Sequence, residues 1–318
     1  MSIVRFGKSN KAVHILDPGL STTLQDLGRW GYQRFGVPVS GPMDRFSHRL
    51  ANLIVGNDQR CATLEVTFMG PRIIFECDQV FGVTGAEFDL TLDGKKIPMN
   101  TAITACSGAC LKFGKRQNGA RSYIAFSGGL NVPSVLGSRS THLAAKLGGL
   151  SGRAIRAGDK LSIGYEIGVR TEIDVPRIPK EDMCSEKESI RIIGNPVSNG
   201  KSSALFALTA KPFTISPKSD RMGYRLLGSP IKSSKSGKWF STAVVTGTIQ
   251  LPKNGEPIVL MVDHQTTGGY PVIANVISAD IPVLAQRTPG QSIQFEAVTY
   301  EKALAELIRQ ERALMGGA

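Results

Sequence analysis

The sequence contains no apolar run near the roughly 18 residues that a membrane-spanning helix requires, so no membrane span is expected. Its first residues, Met-Ser-Ile-Val-Arg-Phe-Gly-Lys, hold neither an apolar core segment nor a small-residue cleavage site. Their composition argues against a secretory signal peptide. Together these absences predict a cytoplasmic protein with no membrane partner.

Histidine and cysteine are also scarce, at 4 and 5 residues. Only Cys106 and Cys110 lie close together, and no histidine stands at a metal-ligand spacing. Zinc sites usually need a second ligand pair, so we expect reduced, buried thiols and no metal site.

The chain is basic, with a formal net charge of +12. Its Lys and Arg residues are dispersed, apart from a modest cluster at Lys232, Lys235 and Lys238, and no recognisable nucleic-acid-binding motif accompanies them. We therefore predict no nucleic-acid partner. The charge suits an anionic substrate or an acidic protein partner.

The length of 318 residues suggests two domains. Short apolar runs separated by glycine-containing turns, among them residues 79–83 and 88–92, predict a β-rich first domain of barrel or sandwich type. The predicted domains are 1–175 and 190–298, joined by a linker at 176–189. A C-terminal helix at 299–318 follows, with four apolar residues on one side: Leu304, Leu307, Ile308 and Leu314.

A helix at 43–55 is predicted from apolar residues spaced i, i+4, i+7 and i+8: Phe46, Leu50, Leu53 and Ile54. Ser40 and Asp44 are candidate N-caps, and Gly56 is suited to end the helix. The preceding residues 20–44 are predicted to form a long loop, dense in glycine and polar groups, whose interleaved apolar residues argue against disorder.

Residues 263–271, Asp-His-Gln-Thr-Thr-Gly-Gly-Tyr-Pro, follow a buried apolar run and precede a second one. The amide and hydroxyl groups of this loop suit ligand binding, and its glycines permit close approach of the backbone to a ligand. The alternative is a hairpin whose Gln and Thr satisfy only the turn backbone. Residues 219–225 and 22–44 are similar polar stretches, and the three loops are predicted to converge.

Six blocks of sequence resemble the KipA family, which comprises the C-type subunits of 5-oxoprolinase and is also called the allophanate hydrolase subunit 2 family. This family is similar to the carboxyltransferase domain of biotin-dependent urea carboxylase. The blocks lie at residues 18–29, 36–44, 51–57, 137–141, 219–225 and 265–271. The resemblance implies a mainly β protein with a few helices, built from two tandem cyclophilin-like β-barrels.

The resemblance also implies a function, as the C-type subunit of an ATP-dependent 5-oxoprolinase that opens 5-oxoproline to glutamate. The implied partners are two further subunits, one of the KipI type and one of the LamB/YcsF type, and the chain is expected to be inactive alone. No Walker-type phosphate loop and no Ser/His/Asp arrangement is recognisable, so ATP with Mg is expected to be handled mainly by the partner subunits. No biotin attachment site is present in the sequence.

Within the shared blocks, arginines suit carboxylate or phosphate recognition, and carboxylates suit proton transfer or the orientation of those arginines. For each aspartate, a structural role as a cap or ion-pair partner is the alternative. The predicted catalytic residues are Asp220, Arg221, Asp44 and Gln265. The predicted substrate-binding residues are Gln25, Asp26, Arg29, Ser40, Arg139, Tyr224, Arg225, Thr266, Thr267, Gly268, Gly269 and Tyr270. Arg221→Ala is expected to remove activity without unfolding the protein.

One departure from the family pattern is Ser241-Thr242-Ala243, where relatives commonly have Ser-Glu-Gly. Two further functions remain open: a carboxyltransferase-type subunit for a urea-like amide, and a regulatory module that binds a KipI-type protein without chemistry. Genes for the KipI-type and LamB/YcsF-type subunits beside this one would favour the oxoprolinase, whereas a neighbouring biotin carboxylase gene would favour the carboxyltransferase.

Overall fold

The computed structural model describes residues 11–164, 189–195, 203–232 and 240–316. These residues form two compact units. The first contains residues 11–29, 40–164 and 314–316, and the second contains residues 30–39, 189–195, 203–232 and 240–313. Apart from Ser189, the predicted linker 176–189 lies outside the described residues. The predicted domain boundaries therefore stay predictions.

The first unit is a half-barrel of nine antiparallel strands with one helix. The strand path is β2-β3-β8-β4-β1-β9, and β5 joins it by pairing with β6, β7 and β8. The core between the strands contains Phe75, Phe81 and Phe126. The elements are β1 Ala12–Asp17, β2 Ser21–Gln25, α1 Arg45–Ile54, β3 Thr63–Thr67, β4 Arg72–Phe75, β5 Gln79–Leu92, β6 Lys95–Ile97, β7 Ala102–Ala105, β8 Cys110–Phe126 and β9 Lys160–Ser162.

Two expectations for the first unit are wrong. Residues 21–25, predicted as loop, form β2 and pair with β3. Residues 79–83 and 88–92, predicted as separate strands, belong to one strand of 14 residues. The register of that strand against β8 shifts between Gly85 and Leu90. Gly85 has a positive φ of 89°, and a Cβ there would lie 2.4 Å from the carbonyl oxygen of Arg121. At such a bulge the alternation of side chains between the two faces is interrupted, but the strand continues to pair on both sides of it.

The helix predicted at 43–55 is confirmed as α1 and is capped at both ends. Asp44 Oδ1 accepts a hydrogen bond from the Ser47 amide at 2.9 Å, and Asp44 Oδ2 accepts one from the Ser47 hydroxyl at 2.6 Å. Gly56, in the left-handed region, donates its N–H to the Leu53 carbonyl at 3.0 Å. Local capping chemistry therefore sets both ends of α1.

The second unit is built on a closed barrel in the order β10-β17-β14-β15-β12-β11-β18. The predicted mainly β architecture is confirmed, with β-barrel folding in both units. β13 and β16 form a separate two-stranded sheet. The elements are β10 Ser189–Gly194, α2 Ser203–Ala210, β11 Phe213–Ile215, β12 Gly223–Leu227, β13 Thr242–Ala243, β14 Thr248–Gln250, β15 Ile258–Leu260, β16 Thr267–Gly268, β17 Val272–Val276, α3 Ile281–Ala285, β18 Ser292–Ala297 and α4 Tyr300–Leu314.

The C-terminal helix α4 is anchored by a small apolar cluster at Ala303 and by polar contacts. Leu304 and Ile308, on its predicted apolar side, are 43% and 44% exposed. Arg191 forms a bidentate pair with the fully buried Asp280, at 2.9 and 2.6 Å, and contacts Glu306 of α4 at 3.2 Å. This charged triad ties the helix to β10. No helix among the described residues is both long and apolar enough to cross a membrane.

Candidate functional site

A buried ion pair joins two of the predicted polar loops in the second unit. Arg221 precedes β12 and Asp263 follows β15, and these two strands are paired. Arg221 donates from Nε to Asp263 Oδ2 at 2.8 Å and from Nη2 to Oδ1 at 3.1 Å. The Asp263 amide also donates to the Arg221 carbonyl at 2.9 Å. The carboxylate therefore fixes the plane of the guanidinium at this end of the barrel.

Asp220 shapes the turn that carries Arg221. Its Oδ1 accepts hydrogen bonds from the amides of Met222 at 2.8 Å and Gly223 at 3.2 Å. This is the turn-forming role that aspartate commonly plays. The structural alternative for Asp220 is thus seen in the geometry, and its role as a proton acceptor stays a prediction.

Tyr224 and Arg225 lie on opposite faces of β12. Tyr224 is buried, with its hydroxyl 3.5 Å from the carbonyl oxygens of Ala285 and Arg287. Arg225 is exposed. Of these two neighbours, only Arg225 is accessible to solvent. Substrate contact by either residue stays a prediction.

The loop at 263–271 crosses over a strand. It connects β15 to β17, and each of these strands pairs with β14 between them. Within the loop, Thr267 and Gly268 form β16 and pair with β13. The alternative of a hairpin between neighbouring strands is therefore wrong. Gln265, Thr267, Gly269 and Tyr270 are exposed, so an amide and two hydroxyls are available to a ligand.

The residues that depart from the family pattern lie against this loop. Thr242 is exposed and pairs with Gly268 in the two-stranded sheet. Ser241 Oγ lies 3.6 Å from the point where a Cβ on Gly269 would stand. A glutamate in place of Thr242 would therefore add a carboxylate beside the glycines of the loop.

His264 is a buried residue at the start of the loop. Its Nδ1 lies 2.5 Å from the Gln265 carbonyl oxygen. Burial lowers the pKa of His264, although the hydrogen bond to Gln265 and the charge of Asp263 oppose that shift. The imidazole is therefore mainly neutral at pH 7.

In the first unit, Asp26 organises the segment at 137–141. Its Oδ1 accepts from the hydroxyls of Ser138 and Ser140 at 2.5 and 2.7 Å and from the Gly28 amide at 3.0 Å. Its Oδ2 accepts from the Arg139 amide at 2.5 Å. Four donors surround this one carboxylate, so Asp26 ties the end of β2 to a segment more than 100 residues later in the chain.

Three more predicted residues bind backbone carbonyls of the same region. Arg29 is buried and donates from Nη2 to the Ser140 carbonyl at 2.7 Å. Gln25 donates to the Thr141 carbonyl at 3.1 Å, and Arg139 Nε donates to the Val132 carbonyl at 2.9 Å. These side chains therefore order the loops of the first unit, and their contact with substrate stays a prediction.

Comparison with known proteins identifies the family. Residues 35–297 match the model of the carboxyltransferase domain, subdomain A and B. The chain belongs to this carboxyltransferase family. It is 37% identical to the 5-oxoprolinase C-type subunit of Haemophilus influenzae, over 92% of this chain and 93% of that protein. It is 38% identical to the 5-oxoprolinase C-type subunit of Escherichia coli, over 94% and 95% of the two chains.

A solved structure, the K. lactis urea amidolyase, matches with a TM-score of 0.88 and 30% identity. That match covers 98% of this chain and 20% of the urea amidolyase. The resemblance stated from the six sequence blocks is therefore confirmed. The predicted similarity to a urea-processing enzyme is confirmed by the urea amidolyase match.

A buried hydrogen-bond network around Glu65 was not predicted from the sequence of this carboxyltransferase-family chain. Tyr123 donates its hydroxyl to Glu65 Oε2 at 2.8 Å and accepts from the Asp44 amide at 2.8 Å. Glu65 Oε2 also accepts from the Met43 amide at 2.8 Å. Burial, and then the charge of Glu65, raises the pKa of Tyr123 well above its ordinary value. A charged residue between the apolar Leu64 and Val66 of a strand was the available signal.

The predicted site residues thus form two groups, each within its own unit. The first-unit group surrounds Asp26 and Asp44, and Ser40 is buried there with an unusual positive φ of 58°. The second-unit group surrounds the Arg221–Asp263 pair and the loop at 263–271. Convergence of all three loops stays a prediction. Among the described residues, no cluster of three His, Cys, Asp or Glu side chains is arranged to hold a metal ion.

Proposed function

We propose that this chain is the C-type subunit of a 5-oxoprolinase, which opens 5-oxoproline to glutamate with ATP. The observation that carries the proposal is the near-full-length relationship to two proteins of that name, at 37% and 38% identity. The urea amidolyase match, by contrast, spans a fifth of a much larger chain. The proposal keeps the cytoplasmic location predicted from the sequence.

The chemistry of the second-unit group suits an anionic cyclic amide. A lactam resists hydrolysis, and phosphorylation of its carbonyl oxygen by ATP makes that oxygen a good leaving group. Arg221, held by Asp263 at 2.8 Å, presents a guanidinium suited to a carboxylate or phosphate. The exposed Gln265, Thr267 and Tyr270 supply donors and acceptors for the amide. We assign catalytic roles to Arg221, Asp220 and Gln265 of this group.

In this proposal, the chain requires two partners. A KipI-type protein would form a complex with it, a LamB/YcsF-type protein would complete the enzyme, and these partners would bind most of the ATP and Mg. The substrate is a small anionic amide, and neither nucleic acid nor biotin attached to this chain takes part.

The test is reconstitution from purified subunits. Glutamate release from 5-oxoproline with ATP and Mg is measured for this chain alone, with the KipI-type partner, with the LamB/YcsF-type partner, and with both. We expect release only with both. Turnover by the isolated chain would contradict the requirement for partners, and a complete complex without turnover would favour the regulatory binding module.

A second candidate is a carboxyltransferase-type subunit for urea or a similar amide. The match to urea amidolyase at a TM-score of 0.88 favours it. Carboxylated biotin would then come from another chain. Carboxylation of urea by this chain together with a biotin carboxylase and a biotin carrier, without glutamate release in the first test, would establish this alternative.

A further inference from the structure

Gln250 is a buried glutamine whose amide lacks a structural partner. It is the last residue of β14 and is 1% exposed. Its Nε2 is buried and has no hydrogen-bond partner. The hydroxyl of Thr248, two residues earlier in the chain, donates to Asn275 Oδ1 at 2.9 Å. Gln250 is one of several described residues with a buried side-chain atom that has no hydrogen-bond partner, and its donor packs against the loop at 263–271.

The position of Gln250 brings its amide to the loop at 263–271. β14 lies between β15 and β17, the two strands that the loop connects. A Cβ added to Gly268 would stand 2.2 Å from Gln250 Nε2. The amide nitrogen therefore packs directly against the backbone of Gly268, and a side chain at position 268 would displace it.

Burial of an amide donor without an acceptor destabilises the folded chain relative to a satisfied donor. Gln79 in the first unit shows the ordinary arrangement for a buried amide nitrogen, whereas its Oε1 has no partner. It is equally buried, and its Nε2 donates to the carbonyls of Ser127 and Val80 at 2.8 and 2.9 Å. The amide nitrogen of Gln250 has no such carbonyl acceptors, so its burial destabilises the free chain. It lies next to exposed groups that suit a small amide ligand.

We infer that Gln250 is a further substrate-binding residue, whose amide donates a hydrogen bond to an oxygen of the small anionic amide that enters at Gly268 and Gly269. This inference rests on the proposed function, because it takes the loop at 263–271 as the substrate site. The two consecutive glycines allow the backbone above Gln250 to move aside. The acceptor that is missing in the free protein is then supplied by the substrate.

The test compares Gln250→Met with Gln79→Met in the reconstituted complex. Methionine has a similar length and no hydrogen-bonding amide. Gln250→Met loses no hydrogen bond of the amide nitrogen, so we expect an unchanged or higher melting temperature of the free chain and a KM for 5-oxoproline raised about tenfold. Gln79→Met loses two hydrogen bonds, so we expect a lower melting temperature and an unchanged KM. Gln250→Leu should repeat the behaviour of Gln250→Met.

Two results would overturn the inference. A melting temperature lowered by Gln250→Met and Gln250→Leu would show that the amide has a structural partner, such as a bound water. An unchanged KM in a stable variant would show that it does not meet the substrate.

Failure of the wild-type complex to act on 5-oxoproline would instead refute the proposed function. Calorimetry with urea, a neutral amide whose carbonyl oxygen can accept the same hydrogen bond, would then replace the KM measurement. Loss of urea binding in Gln250→Met would support the inference, and equal binding by both proteins, or none by wild type, would overturn it.

Discussion

Removal of Arg221 should cost stability as well as activity. The sequence alone predicts a loss of activity without unfolding, but the structure shows that Arg221 neutralises Asp263, and their side chains are only 15% and 7% exposed. Breaking one side of a buried pair leaves an uncompensated charge and costs about 3–5 kcal/mol. At the lower end, and at about 2–4 °C per kcal/mol, Arg221→Ala should lower the melting temperature by about 6–12 °C.

The double variant Arg221→Ala/Asp263→Ala separates the two effects. It removes the stranded carboxylate, so it should recover part of the lost melting temperature while the reconstituted complex stays inactive. The matched control is Arg60→Ala, which breaks a bidentate pair with Asp58 whose side chains are 66% and 46% exposed. Exposed pairs contribute about 0–1 kcal/mol, so this control should change little. Thermal denaturation followed by circular dichroism measures all three. An Arg221→Ala variant as stable as wild type would refute the reasoning.

Two further predictions concern stability. Burial lowers the pKa of His48 to about 4, so its neutral form is favoured in the folded chain. The contribution of buried His48 to the free energy of unfolding is therefore complete above the ordinary pKa of 6.5. It declines as pH falls from 6.5 towards 4, by up to about 3 kcal/mol. His48→Gln should weaken the dependence of the melting temperature on pH between 7.5 and 5. A dependence as steep as that of the wild type would contradict this. Asp280→Ala should remove the bidentate partner of Arg191, leave Glu306 as its remaining carboxylate, and expose α4 to limited proteolysis; unchanged cleavage of that helix would argue against the anchoring role.

Local chemistry explains the elements that the sequence predicted well. Helix α1 was predicted because its cap, its apolar spacing and its terminal glycine all lie within a dozen consecutive residues. The family and its fold class were predicted from blocks of consecutive residues. Such blocks can be recognised without knowing which distant residues meet in the folded chain.

Strand continuity was harder to predict. β5 contains bulges between Gly85 and Leu90, so its alternation is interrupted while its pairing with β8 continues. β2 consists largely of polar residues, Ser-Thr-Thr-Leu-Gln, and has no apolar alternation. Its burial depends on pairing with β3, which a single strand's composition does not reveal.

The sequence by itself determined that the chain is mainly β, where α1 begins and ends, and which loops carry polar groups with glycines. Only the tertiary structure decided which of those groups meet. Arg221 and Asp263 are 42 residues apart, and Tyr123 and Glu65 are 58 apart. Their contacts depend on strand order and register, which arise from packing of the whole barrel or sheet. Gln250 is the sharpest case, because its amide is isolated only when a loop between two other strands passes over it.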